Sequence, residues 1–158
     1  MANAGKDFEQ DFIKSVPDSV YHYRFKDGTA AWGEQETTRF QHSNICDFLL
    51  FDGRLWLIEL KSHKDKSIPF NCIRENQLKE LSMADCVAGI IPGFIFNFRD
   101  LNKTYFIHIK HIYYFYHHAD RKSFPLEWVQ QHGTEIKAEL KKVHYRYYVK
   151  EFLQEIGV

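Results

Sequence analysis

The stretch Asn44-Ile45-Cys46-Asp47-Phe48-Leu49-Leu50-Phe51-Asp52-Gly53-Arg54-Leu55-Trp56-Leu57-Ile58-Glu59-Leu60-Lys61 reads as a β-hairpin, apolar along both arms except for two carboxylates and a lysine. Packed strands bury an unpaired Asp, Glu or Lys only at a cost of several kcal/mol unless a counter-charge or a metal neutralises it. A divalent cation held by Asp47 and Glu59, with Lys61 beside it, would supply that neutralisation. The turn decides whether the three can meet. A two-residue Asp52-Gly53 turn pairs Phe51 with Arg54 and Asp47 with Ile58, and alternation then sends Asp47 and Glu59 to opposite faces. A three-residue loop, Phe51-Asp52-Gly53 with Gly53 left-handed as a bulge, pairs Leu50 with Arg54 and Asp47 with Leu57, so that Asp47, Glu59 and Lys61 share a face. The three-residue loop is the expectation. The opposite face, Phe48, Leu50, Trp56, Ile58 and Leu60, is wholly apolar, which predicts a sheet covered on both sides.

Around this hairpin, 158 residues with 44% hydrophobic and 16% aromatic content are enough for a sizeable core and one domain. Cys46, Cys72 and Cys86 have no metal-type spacing, and neither a signal peptide nor a long apolar run is present, so a reduced, cytoplasmic protein away from membranes is expected. The formal net charge is zero but unevenly spread: residues 1–60 hold 6 basic against 10 acidic side chains, and residues 99–150 hold 10 against 5. An acidic part suits a cation and a basic part suits phosphates.

Residues 5–15 form an amphipathic helix with Phe8 and Phe12 at i, i+4 and Glu9 at the edge of the apolar stripe. Tyr21 to Phe25 alternates as a strand, and residues 26–43 are polar, a loop or a protruding hairpin. A helix is expected from Pro69 to about Ala84 with the stripe Phe70, Ile73, Gln77, Leu81 and Ala84, an amide standing in its middle. Gly89 to Phe98 reads as a central strand and Thr104 to Lys110 as its neighbour, followed by an aromatic run through Tyr116. A small helix opens near Ser123 and closes at Gly133, and Tyr147 to Ile156 looks helical. His108, His111, His117 and His118, read on alternating strands, match no closed zinc site.

Helix, antiparallel strands, helix, strand is the order of the restriction-endonuclease-like nuclease core, and Asp47 with Glu59-Leu60-Lys61 resembles its PD-(D/E)xK signature, with Cys46 where the signature has proline. The ordered series Arg39-Phe40, Asn44-x-x-Asp47-Phe48, Ile58-Glu59-Leu60-Lys61-Ser62, Ile68-Pro69-Phe70, Ile73, Gln77, Arg121-Lys122-Ser123-Phe124-Pro125 and Gly133 resembles the RecU-type Holliday junction resolvases, particularly their shorter phage and Gram-positive forms. The resemblance implies an α/β fold with a mixed central sheet flanked by helices, a homodimer acting on branched DNA, and a junction stalk that residues 26–43 would supply. It also implies a recombinase or branch-migration helicase as a partner.

Phosphodiester hydrolysis needs an activated water, relief of charge at phosphorus and a stabilised leaving oxygen, and a hard cation serves all three. Magnesium, or manganese in its place, favours oxygen ligands: Asp47, Glu59 and the backbone carbonyl of Leu60. Glu9 matches the N-terminal-helix acid of the resembled resolvases and would bind the same or a second metal. Lys61 would orient the attacking water or offset phosphate charge, and Gln77, matching a recurrent glutamine of that family, would bridge to the water, the phosphate or Lys61. Arg39, Lys64 and Lys66 flank the motif where a phosphate backbone would pass. Two other functions fit the same residues: a restriction or repair nuclease on this core, and a catalytically silent DNA-binding or recombinase-regulating module.

Overall fold

In the computed structural model, which describes residues 3–26 and 43–156, Asn3 starts the first helix, α1 (Ala4–Lys14), its side-chain oxygen accepting from the Gly5 N–H. Six strands build the main sheet: β1 (Tyr21–Arg24), β2 (Phe48–Phe51), β3 (Leu55–His63), β5 (Ile90–Phe98), β6 (Lys103–His108) and β8 (Thr134–Glu135), adjacent in that order. Only β3 and β5 run parallel, over nine residue pairs from Leu55↔Ile90 to His63↔Phe98; every other pairing is antiparallel. The mixed sheet flanked by helices is the architecture the sequence implied.

The connection between the two parallel strands contains β4 (Ser67–Pro69) and α2 (Glu75–Ala84). After β6 come α3 (Ile109–His118), β7 (Ser123–Pro125) and α4 (Leu126–His132). The chain ends with β9 (Ala138–Lys141), β10 (His144–Tyr147) and α5 (Val149–Ile156). Side-chain alternation splits the sheet's contacts into two cores. Phe48, Leu50, Trp56 and Ile58 pack with Phe8 and Phe12 of α1 and Phe152 and Leu153 of α5. On the other face Leu57, Phe94, Phe96 and Ile107 meet Leu78 and Leu81 of α2, Ile112 of α3 and Val129 of α4. The sheet is thus covered on both sides. Gly93 permits the closeness of β5 and β6, since a Cβ there would stand 2.5 Å from the Ile107 carbonyl oxygen and the Phe106 ring.

The central loop does have three residues, but they are Asp52-Gly53-Arg54 rather than Phe51-Asp52-Gly53: the observed pairs are Phe51↔Leu55, Leu50↔Trp56, Leu49↔Leu57 and Phe48↔Ile58. Asp52 causes the shift. Its Oδ1 accepts from the Arg54 N–H at 3.1 Å and from Trp56 Nε1 at 3.0 Å, closing the loop one residue later, with Gly53 at φ +107°. The ladder stops at Phe48↔Ile58, and Asp47 stands one residue beyond it with its N–H on the Ile58 carbonyl rather than opposite Leu57. Asp47, Glu59 and Lys61 still come together, the last two being, with Glu9, the charges that act on Asp47.

Two helices differ from expectation. Pro69 does not begin α2, because β4 pairs with β7 and the Phe70 N–H donates to the Lys122 carbonyl; one 3-10 turn, Phe70–Cys72, and an extended Ile73 precede the true start at Glu75. The aromatic run after β6 is helix, not strand, so His111, His117 and His118 lie on α3, whose buried Ile109 and Ile112 follow helical spacing. The β9–β10 hairpin had no counterpart in the sequence reading. The proposed stalk, except its end residues Lys26 and Ser43, and Arg39 lie outside the described residues. No described helix is long and apolar enough to cross a membrane.

Candidate active site

β2 ends where the chemistry begins. The Asp47 N–H donates to the Ile58 carbonyl at 3.1 Å and the Asp47 carbonyl accepts from the Phe25 N–H at 2.9 Å, which anchors Asp47 between β1 and β3. Its carboxylate Oδ2 then takes the Leu60 N–H at 2.6 Å, replacing the backbone partner that β2 no longer provides. A strand residue's N–H and C=O point to the same side, so the Leu60 carbonyl also projects toward Asp47.

Glu59, almost wholly buried, holds Lys61 Nζ on Oε1 at 2.7 Å, while its Oε2 has no hydrogen-bond partner among the described residues. Burial first, and then the nearby Glu59 charge, push the Asp47 carboxyl up from the usual 3.8 to about 7. The Leu60 N–H and Lys61 act against this and do not cancel it; Glu9 adds a small upward push. Beneath the pair, burial raises the Cys46 thiol to about 12, with both carboxylates contributing. The pocket therefore concentrates more negative charge than its own cations offset.

Gln77 belongs to the helix that covers this face. It is buried on α2 with its Oε1 unpartnered among the described residues, and the start of that helix is tied to the non-strand segment leading into Asp47 by Asn76 Nδ2 donating to Ser43 Oγ at 2.6 Å. Glu9 sits at the margin: its Oε2 receives both Nε and Nη2 of Arg24, at 3.0 and 2.8 Å. Among the described residues no three His, Cys, Asp or Glu side chains gather as a metal-holding group. Lys64 and Lys66 are exposed on the turn after β3.

Asp47, Glu59 and Lys61 are thus brought together, Gln77 stands in the layer above them, and Glu9 stands at the rim. Sequence reasoning missed Arg24, whose pairing with Glu9 depends on how α1 crosses β1. It also missed Asn97, buried on β5, which accepts from Ser62 Oγ at 2.8 Å and donates to Thr104 Oγ1 at 3.0 Å. A lone amide in the run Gly93-Phe94-Ile95-Phe96-Asn97-Phe98 was the available signal.

The donor set fits a hard cation. Among the described residues two buried oxygens, Glu59 Oε2 and Gln77 Oε1, lack partners, and burial together with a neighbouring carboxylate holds the Asp47 carboxyl high. Comparison with known proteins adds the following. Residues 14–151 match a family model described as RecU, recombination protein U. The SPbeta prophage-derived uncharacterized protein YotM of Bacillus subtilis (strain 168) is 36% identical over 172 positions, covering 98% of this chain and 87% of that protein. Among solved structures, the Holliday junction resolvase Hjc of Archaeoglobus fulgidus is similar in fold, with a TM-score of 0.53 at 15% identity over 83% of this chain and 95% of that one.

Proposed function

This chain belongs to the recombination protein U family, and from that membership we propose that it is a divalent-metal-dependent endonuclease that resolves four-way DNA junctions by paired nicks. The observation that carries the reading is Glu59: buried, one oxygen on Lys61, the other without a partner, beside an Asp47 whose carboxyl is pushed up to about 7. A stability-driven core would not retain this arrangement, because an unsatisfied buried carboxylate oxygen costs about 1–3 kcal/mol or more.

Asp47, Glu59 Oε2 and the Leu60 carbonyl would hold magnesium or manganese, with Glu9 reaching it directly or through water. Bound there, the cation would supply Lewis-acid activation of water and charge relief at the scissile phosphate. The chain's own residues provide the rest. Asp47 must give up its proton to serve as a ligand, and the Leu60 N–H keeps its carboxylate oriented while it does so. Lys61, fixed by Glu59 at 2.7 Å, would present its remaining N–H groups to a phosphate oxygen or the attacking water. Gln77 Oε1 is an acceptor waiting for a donor, which a nucleophilic water would provide.

Symmetrical nicking of a junction needs two sites related by a two-fold axis, so the acting species is proposed to be a homodimer of one-domain chains. A cytoplasmic location and a recombinase or branch-migration helicase as partner follow from the same reading. Lys64 and Lys66 would contact the phosphate backbone, as would Arg39 and a stalk drawn from residues 26–43.

The test is incubation with a labelled synthetic four-way junction and a matched linear duplex, with and without magnesium, beside Asp47→Ala. Paired nicks confined to the junction, absent in the variant and without metal, support the reading. Equal cutting of linear duplex would replace it with a general nuclease, and tight junction binding without cutting in either metal would replace it with a silent binding module.

A further inference from the structure

The β9–β10 hairpin is paired to no strand of the main sheet. Its register, Lys141↔His144 through Ala138↔Tyr147, leaves Lys142 and Val143 at the tip. A lone two-stranded ribbon is marginal in water, but this one is fastened along its outer edge. The Tyr145 N–H donates to Asp11 Oδ2 at 2.8 Å, the Tyr147 N–H to Ser15 Oγ at 2.9 Å, and His144 Nδ1 lies 2.9 Å from Asp11 Oδ1. Helix α1 therefore takes the place of a third strand and holds the hairpin out as a rigid arm.

What the arm presents is unusual for bare surface. Lys142 is in the left-handed region at φ +58°, a conformation that glycine adopts freely and lysine does not. Val143 is 82% exposed and Leu140 58%. From Lys137 to Lys150 the sequence carries Lys137, Lys141, Lys142, Arg146 and Lys150 against Glu139 alone. Only Lys141 of these cations is in an ion pair among the described residues, with Glu139 at 3.1 Å and largely in solvent.

The arm also lies at the right end of the molecule. Val143 and Tyr145 line a cavity of about 280 Å³ together with Asp7 of α1, Asn97 of β5 and Arg99 just beyond it. Asn97 is bonded to Ser62, the residue after Lys61. Hairpin tip, Arg99 and the exposed Lys64 and Lys66 thus lie toward the carboxyl ends of β3 and β5, the tip on the α1 side of the sheet and Glu59 and Lys61 on the α2 side of the same end.

We propose that this hairpin is a second DNA contact, its tip Lys141-Lys142-Val143 gripping the phosphate backbone of a duplex arm while the arm's scissile strand lies at Asp47 and Glu59. The proposal rests on the nuclease reading. A strained, unpaired lysine beside an exposed valine suits a groove edge, where ammonium groups neutralise phosphates and an apolar tip rests on the sugars.

The experiment is fluorescence anisotropy of a labelled four-way junction and a linear duplex, in calcium-containing buffer at 50–200 mM salt. The full-length proteins are wild type, Lys142→Gly, Lys141→Gln/Lys142→Gly, and Lys110→Gln on α3 as a remote control. Lys142→Gly should melt at or above the wild-type temperature, since glycine suits that φ, so weaker binding would not reflect misfolding. Its affinity should fall roughly three- to five-fold, and the plot of log K against log salt should become shallower by about 0.9 per lysine removed. The double variant should lose on the order of ten-fold, and Lys110→Gln should change neither quantity. Wild-type binding with an unchanged double variant overturns the hairpin contact and leaves the nuclease reading standing. Wild-type protein that binds neither DNA overturns both.

Discussion

Replacing Asp47 by asparagine should stabilise the metal-free protein at alkaline pH. The carboxyl titrates near 7 in the fold against 3.8 ordinarily. Below pH 4 both states hold the proton and the group is neutral to stability. Between pH 4 and 7 the unfolded chain releases it while the folded chain keeps it, so stability falls as pH rises, and above 7 the whole penalty is present. A gap of about three pKa units corresponds to roughly 4 kcal/mol. The asparagine amide oxygen can still accept from the Leu60 N–H, and the raised pKa already includes that bond's preference for the charged carboxylate. The gain at alkaline pH is therefore about 4 kcal/mol, or roughly 8–16 °C in Tm for a chain of this size. Thermal melts in chelator at pH 5 and pH 8 read it directly: Asp47→Asn should melt well above wild type at pH 8 and above it by less than half as much at pH 5. Magnesium should then raise the wild-type Tm and leave the variant unmoved, because a bound ligand stabilises only the state that binds it. A variant that melts at or below wild type at pH 8 in chelator would refute the claim that Asp47 is held in an acidic, under-neutralised pocket.

Asp11→Ala strips two groups, the Tyr145 N–H and the His144 ring, of their partner, and leaving the Tyr145 N–H unsatisfied should cost about 1–3 kcal/mol, read by urea titration. Gly93→Ala forces a Cβ to within 2.5 Å of backbone and ring atoms of β6 and should destabilise by on the order of 3 kcal/mol or prevent expression in folded form, checked by circular dichroism. Cys46, buried with its thiol at about 12, should resist a thiol reagent at pH 8 in the native state while Cys86 reacts at once; equal rates for the two would show the pocket open to water. Lys61→Met should abolish junction cleavage yet leave junction binding within about two-fold, measured by gel-shift and nicking assays in parallel.

Most of the element order and the shared face of Glu59 and Lys61 on β3 were legible because alternation is local: parity along a strand depends on counting residues. The register itself was not. Asp52 reaches forward to Trp56 Nε1, and nothing in the dipeptide Asp52-Gly53 announces that bond. α2 was expected to begin at Pro69 because Phe70 and Ile73 fit the helical stripe; both are buried as that stripe required, but from a turn and an extended residue, since β7 claims the preceding backbone. The run Ile109 to Tyr116 hid its helical period because nearly every position is apolar or aromatic. Glu9 was legible as an acid at the edge of a stripe, whereas its partner Arg24 depended on tertiary placement.

The anchoring of α1 bears on when the molecule becomes an enzyme. Among the described residues the Asp11 carboxylate meets His144 and the Tyr145 N–H, and the Ser15 hydroxyl meets the Tyr147 N–H, all more than 130 residues later in synthesis. A nascent chain emerging from the ribosome therefore carries a helix whose carboxylate lacks these partners until β10 has left the exit tunnel. Glu9 rides on that helix, so the rim of the pocket cannot set before β10 is made. Long-range closure of this kind slows folding, and here it ties the pocket's completion to a strand far along the chain.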